Sequence, residues 1–384
     1  MNKFVLLHIF SAPQSVYFFM EKQLQFMIDN GAEVHVVIPS DTYYKDLLLK
    51  RELNVKFHFI PIKRKISLIN DLFCLYQITK LIKVIKPNIL HLHTPKASFI
   101  GALAGKLALQ KNIIYQMHGL VSAKGDEASK GLMYVIEKMT CTLVDEIFCV
   151  SKSLMKFAIE KKYCSQKKIK VIKNGTINGI DSEGKFNIKN IDITSYPNVR
   201  NRVKGKFVIG FIGRINEDKG IEDFLKVVKK LSDKIPMLVL ILGKNEIGNT
   251  FKKLIEENKI DTSSFIIIDE VNDPENIMSV LDVLLLPTKR EGFGLVAAEV
   301  NSLAIPVVAY DIPGVRDAIS NNKTGILNPF MDIEALELAV YEYYLDSEKR
   351  NLHGFQGRQR VVKMYNQKEL WQELLKEYEE RLKD

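Results

Sequence analysis

Cysteine is scarce: four residues in 384 (Cys74, Cys141, Cys149, Cys164), with no C-x-x-C pair and no metal-type spacing. That excludes a disulfide scaffold and leaves buried, reduced thiols in a cytoplasmic compartment as the expectation. Long apolar runs are missing too. No stretch approaches the roughly 18 uninterrupted apolar residues that a membrane span needs. The opening "MNKFVLLHIFSAPQSVYFFM" has an apolar run only a strand long and no clean small-residue cleavage site, which argues against a secretory leader. Asp-x-Asp, a usual way to hold a divalent ion on a diphosphate, occurs nowhere. A Walker loop and the G-x-G-x-x-G pattern are absent, so ordinary P-loop and dinucleotide readings are weak. Acid is short in one half only. Residues 1–190 hold 28 Lys+Arg against 15 Asp+Glu, or +13, while the remainder holds 27 against 31, or −4. The positive field therefore belongs to the first half, and its partner there is anionic.

What is present is alternation. At 384 residues, 46% of them apolar, the chain is long enough for two cores. Apolar runs of strand length, "FVLLHIF", "EVHVVI", "KFHFI", "ILHLH", "NIIYQM" and "EIFCV", are separated by helix-length stretches such as Ser15–Asn30 and Ser67–Lys86. The alternation restarts with "KFVIGFIG", "MLVLIL", "SFIIID", "VLLLP" and "IPVVAY". This is the signature of βαβ units around parallel sheets. The predicted architecture is α/β, with two Rossmann-like doubly wound domains facing each other across a cleft. The bounds are 1–185 for the N-terminal domain, 186–204 for a polar linker and 205–364 for the C-terminal domain. Residues 365–384 form a charged helix packing back on the N-terminal domain. Ligands in such sheets bind at the carboxyl ends of strands.

Two loops concentrate chemistry. In "KFVIGFIGRINEDKGIEDF" a strand ends at Gly213, the loop carries Arg214 and Lys219, and a helix begins near Gly220. Two cations at a strand-to-helix turn make either a diphosphate clamp or a solvated turn. In "VLLLPTKREGFGLVAAEV" a buried strand is followed by a loop and then a helix from about Leu295. Gly292 and Gly294 let backbone amides approach a ligand, and the helix start favours an anion. Glu291 on the loop and Glu299 one turn into the helix either favour the helix dipole or accept hydrogen bonds from ligand hydroxyls. Capping suits Glu291 better than Glu299, which lies among apolar neighbours and needs a partner if buried. The alternate His91 and His93 of "HLH" share a strand face and offer metal nitrogens, but without acidic or Cys partners in sequence the structural reading is preferred.

The E-x7-E pair with G-F-G after its first Glu resembles the retaining glycosyltransferases of family 4, which have the GT-B fold. "GRINEDKG", "IPGVRDAISNNKTGILNP" and "NGTINGID" extend the resemblance, and "PNILHLHTPKASFIGALAGKLA" and "YQMHGL" resemble members that build capsule, O-antigen and lipid-linked oligosaccharides. The resemblance implies that Arg214 and Lys219 bind the diphosphate of a nucleotide sugar beside Gly213. It gives Glu291 the donor-sugar hydroxyls, Phe293, Gly294 and Leu295 amide contacts with sugar or phosphate, and Glu299 the ribose. His118 faces the donor sugar from the first domain, or else is a strand-end His satisfied by backbone. Val271 lies beside the nucleobase by a looser match. Where the family often has a Gly-Gly loop this chain reads "SAPQSVYFF", so amides of Gln14 or Ser15 stand in, and Asp317 stands where a Glu is common.

The expected activity is retaining, metal-independent transfer of a sugar, an N-acetylhexosamine or related hexose, from a UDP-sugar to a polyprenyl-diphosphate-linked saccharide. UDP over GDP is a family-level choice. No cofactor, metal or nucleic-acid partner is expected. The basic first half is expected on the anionic inner leaflet of the plasma membrane, as a peripheral cytoplasmic protein. Ser67–Lys86, preceded by Lys63, Arg64 and Lys65 and carrying Lys80, Lys83 and Lys86, is read as a basic amphipathic helix on lipid or a crossover helix on the sheet. Lys152–Lys173 has the same two readings. The alternatives to catalysis are a nucleotide- or lipid-binding protein of the same fold, and a sugar-nucleotide epimerase.

Overall fold

The computed structural model describes every residue except 1, 2, 41, 52, 64 and 384. Arg64, one of the expected basic residues, therefore lies outside the described residues. The chain divides into two compact units: Met1–Ala123, Glu127–Asn178 and Lys368–Asp384 form the first, Lys124–Asp126 and Gly179–Gln367 the second.

The first unit is built on a seven-stranded parallel sheet. Its strands are β1 (Phe4–Ile9), β2 (Ala32–Ile38), β3 (Lys56–Phe59), β4 (Ile89–Leu92), β5 (Ile113–Met117), β6 (Glu146–Cys149) and β7 (Ile169–Val171), in the order β3-β2-β1-β4-β5-β6-β7. Strands β4 and β5 are buried at every position, as a parallel sheet covered on both faces requires. Between β3 and β4 runs helix α1 (Leu68–Ile85), and after β4 comes α2 (Pro95–Leu107). Glycines bring α2 close: a Cβ on Gly101 would sit 2.5 Å from Leu92, and one on Gly105 would sit 2.7 Å from Ile113. Thr94, between β4 and α2, holds φ at +66°, a costly backbone for a β-branched residue. It is pinned by Ser11, whose Oγ lies 2.7 Å from Thr94 Oγ1 and whose N–H donates to the same atom at 3.1 Å.

The second unit repeats the plan with β8 (Phe207–Ile212), β9 (Met237–Leu242), β10 (Phe265–Ile268), β11 (Val283–Leu286), β12 (Val307–Tyr310) and β13 (Gly325–Asn328), in the order β10-β9-β8-β11-β12-β13. Helix α3 (Ile221–Leu231) follows β8, α4 (Leu295–Ser302) follows β11, and α5 (Ser347–Met364) packs against α4. In both sheets the strand order reverses beside the first strand, which creates a ligand crevice at the carboxyl ends. These are two Rossmann-like units, as the alternation of strands and helices in the sequence predicts.

The boundaries differ from the expected ones. The first unit ends at Asn178 rather than 185, and the second begins at Gly179 rather than 205. The expected linker 186–204 is a folded part of the second unit. Phe186 is buried and its carbonyl accepts from Ser302 Oγ at 2.9 Å; the Asp192 N–H donates to Asn276 Oδ1 at 2.8 Å; and 197–202 is a helix. Its polar composition reflects a surface wrap, not a free tether. The terminal helix α6 (Gln367–Arg381) belongs, but for its first residue, to the first unit, where Leu370, Leu374, Leu375 and Tyr378 join the core of β1 and β2.

Candidate functional site

The carboxyl ends of β8 and β11 carry the two loops singled out by sequence. Gly213 closes β8 at φ +143°, and Gly220 starts α3 at φ +73°. Gly220 is obligatory on two counts, because a Cβ there would lie 1.9 Å from the Pro287 carbonyl oxygen. The loops are stitched together: Lys289 N–H donates to the Asp218 carbonyl at 2.8 Å, and Thr288 Oγ1 donates to the same oxygen at 3.2 Å. This stitching brings Lys219 Nζ onto Glu291, as an ion pair whose side chains are 22% and 15% exposed. Asn216 Oδ1 holds the Lys219 N–H at 3.0 Å.

Arg214 is engaged elsewhere. Its Nη1 donates to both oxygens of Glu246 at 3.0 and 2.9 Å, and Asn216 Nδ2 adds a 2.7 Å bond to that carboxylate. Glu246 was not legible in the sequence, being 32 residues away with no local signature. Only the rule that loops at the ends of neighbouring strands meet would have pointed to it.

Gly292 and Gly294 behave as the loop requires. Gly294 is the N-cap of α4 at φ +77°, with no side chain capping the helix start. The approach of Gly314, whose Cβ would meet Gly292 at 2.7 Å, fixes the loop from behind. Phe293 is buried, its ring edge-on to Tyr365 at 4.9 Å, so its side chain anchors the loop while its backbone lines it. Leu295 opens α4, and Glu299 lies on the same helix face one turn later. Burial pushes the Glu299 carboxyl up to about 7, opposed by Lys185 and assisted by Glu275. Lys185 itself contacts Glu275 at 3.5 Å and the Asn272 carbonyl at 3.3 Å, next to Val271. Sequence reasoning missed the Lys185–Glu275 pair, and it supplies the electrostatic setting of Glu299. Asp317 contributes its backbone, accepting from Arg360 at 2.8 Å and from the Tyr365 hydroxyl at 2.6 Å.

In the first unit, Gln14 and Ser15 lie in the short helical turn Pro13–Ser15 after β1. The Ser15 N–H donates to the Ala12 carbonyl at 3.0 Å. The suggested substitution by the Ser15 amide is therefore corrected: that donor closes the turn, leaving the Gln14 position. Among the described residues His118, just past β5, has no backbone partner; its Nε2 meets His93 Nδ1 at 3.1 Å. Burial lowers His118 to about 4, so the ring is neutral at physiological pH. In the second basic stretch, 152–173, three lysines are engaged internally: Lys168 caps the Thr142 and Val144 carbonyls at 2.8 Å each, and Lys170 and Lys173 pair with Glu377 and Glu369, while Lys152, Lys156, Lys161, Lys162 and Lys167 are exposed. No described helix is long and apolar enough to cross a membrane.

Residues 21–177 match the model of Glycosyltransferase Family 4, and residues 192–360 that of Glycosyl transferases group 1. The chain is 29% identical over 380 residues to the capsular polysaccharide biosynthesis glycosyltransferase CapM of Staphylococcus aureus, covering 99% of this chain and 98% of the relative. It is 26% identical over 322 residues to the UDP-Gal:alpha-D-GlcNAc-diphosphoundecaprenol alpha-1,3-galactosyltransferase of Escherichia coli, covering 82% and 81%. The crystal structure of Anabaena HepE in complex with UDP-glucose is similar at a TM-score of 0.79 and 14% identity, over 98% of this chain and 100% of that one.

Proposed function

We propose, for a chain that belongs to the family 4 glycosyltransferases of GT-B fold, that it transfers a sugar with retention from a UDP-sugar to a polyprenyl-diphosphate-linked saccharide. Transfer of a glycosyl group in surface polysaccharide synthesis agrees with the capsular and diphosphoundecaprenol-linked relatives. The observation that carries the finer reading is the meeting of Lys219 with Glu291 beside the uncapped start of α4. A cation, an acid and a helix start without a side-chain cap at one strand end suit a ligand that joins a sugar to a diphosphate.

In this reading Arg214 and Lys219 neutralise the departing diphosphate, Glu291 holds donor-sugar hydroxyls, and Glu299 accepts from the ribose. Val271 borders the base, and the His118 ring offers a hydrogen bond to a sugar hydroxyl. With retention, the acceptor hydroxyl gives its proton to the leaving phosphate on the same face, so the chain's main task is to stabilise charge. The two cations, in a chain without Asp-x-Asp, fill the role a divalent ion has elsewhere.

The acceptor's lipid is addressed by α1. Leu68, Ile69, Leu72, Phe73 and Tyr76 are all exposed, Ile69 at 87%, and their spacing places them on one stripe of the helix. Lys80 and Lys83 continue that stripe and carry no ion pair among the described residues. An exposed apolar stripe running into lysines suits an anionic leaflet and supports a peripheral place at the inner face of the plasma membrane. The test is incubation with a panel of UDP-sugars, with and without a polyprenyl-diphosphate saccharide. Acceptor-dependent UDP release is expected; binding without turnover, or interconversion of the UDP-sugar, would refute transfer.

A further inference from the structure

We infer that His8 and His93 are positioning residues for His118, and that a three-imidazole chain holds His118 in the tautomer whose Nδ1 carries the proton. The inference rests on the reading that His118 addresses the donor.

The three rings come from neighbouring strands: His8 from β1, His93 directly after β4 and His118 directly after β5. His93 has both nitrogens engaged, Nε2 with His8 Nδ1 at 2.9 Å and Nδ1 with His118 Nε2 at 3.1 Å. His8 and His93 are each 1% exposed, whereas His118 is partly accessible. The pinned, strained Thr94 fixes the chain directly after His93, and the His93 N–H is bonded to the Ile9 carbonyl at 2.9 Å. Burial favours the neutral form of all three rings.

A neutral imidazole has one N–H and one lone pair. In a chain of them, every link needs one of each, so the choice at one end dictates the other. The inner end decides. His8 Nε2 is buried with no hydrogen-bond partner among the described residues. A buried N–H without an acceptor is the rarer orphan, so the lone pair sits there. His8 Nδ1–H then donates to His93 Nε2, and His93 Nδ1–H donates to His118 Nε2. The remaining proton of His118 is on Nδ1, which takes no protein partner among the described residues. His118 thereby offers a ligand oxygen a hydrogen-bond donor and is no base at neutral pH.

A metal is the rival occupant of this cluster, since His8, His91 and His93 can each offer a nitrogen within 4.8 Å of the others. Occupancy would cost His93 one of its two hydrogen bonds. It would also bury an ion's charge with no carboxylate in the group to balance it.

Long-range proton–nitrogen correlation spectra of the full-length protein, labelled with ¹⁵N-histidine, read the tautomers directly, with His118→Ala assigning the His118 signals. In the wild type, His118 is expected to show a protonated Nδ1 and a bare Nε2. His93→Asn keeps a donor near the Nδ1 position and is expected to preserve that pattern. His93→Leu cuts the chain and is expected to shift His118 toward the mixture of a solvated imidazole. Protonated Nε2 on His118 in the wild type overturns the inference, as does an unchanged pattern in His93→Leu. Metal retained on purification with a metal-shifted His8 nitrogen also overturns it. If His93→Leu does not fold, the wild-type and His93→Asn spectra still decide. Full transferase activity in His118→Ala would instead remove the functional reading and leave the tautomer result standing.

Discussion

At the scale of single residues, the proposed donor site is a set of charges already in balance. Lys219 leans on Glu291 and Arg214 on Glu246, so an incoming diphosphate competes with carboxylates for both cations. Arg214→Ala and Lys219→Ala are each expected to lower kcat by about two to three decades, or roughly 3–4 kcal/mol, the usual effect of losing a charged transition-state donor. Steady-state kinetics at saturating donor check this, and wild-type turnover in either variant contradicts the assignment. Glu299 gives a separate test with a worked sign. Its carboxyl is raised from 4.5 to about 7 by burial. Below pH 4.5 it is protonated folded or unfolded and costs nothing. As pH rises from 4.5 to 7 the unfolded state ionises first, so stability falls, and the loss is complete above 7. Glu299→Gln is therefore expected to stabilise the protein by about 3 kcal/mol at pH 8, with almost no gain at pH 4.5, while weakening donor binding. Thermal melts at the two pH values read the difference; an equal shift at both would remove buried ionisation as the cause.

At the scale of elements, β-strands were the most legible feature. "FVIGFI" and "MLVLIL" read as buried strands because two-sided burial makes them continuously apolar, and β8 and β9 occupy those stretches. The strand β7 is not legible in the sequence because it is three residues long at a sheet edge, with a lysine at its centre. The stretch Ser15–Asn30 was read as one helix; it is a short turn, a π-helical segment Val16–Met20 and a helix Glu21–Asp29. Periodicity does not distinguish these when the apolar face is continuous. Arg214, Lys219, Glu291 and Glu299 were legible because each sits in a local motif, whereas Glu246, Glu275 and Lys185 were not, because only folding brings them near. Gly220 ties both loops of the site to one backbone geometry. Gly220→Ala is expected to cost at least about 2 kcal/mol by denaturant unfolding. It should also weaken UDP binding, because the Pro287 carbonyl must give way.

At the scale of the whole chain, the charge difference between the halves, +13 against −4, becomes a statement about one surface. Part of the positive excess is consumed internally by Lys168, Lys170 and Lys173, while the lysines of α1 remain facing solvent beside its exposed apolar stripe. Sedimentation with vesicles containing anionic lipid is expected to fall several-fold for the double variant Leu72→Asp, Phe73→Asp, and to weaken with salt. Retention on neutral vesicles as strong as on anionic ones would refute the electrostatic part. Every residue role proposed for the donor site depends on where the nucleotide sits. A crystal structure of the protein soaked with UDP tests that most directly. The expected result is a diphosphate against Arg214 and Lys219 with the ribose hydroxyls on Glu299; UDP bound away from those three side chains would contradict it.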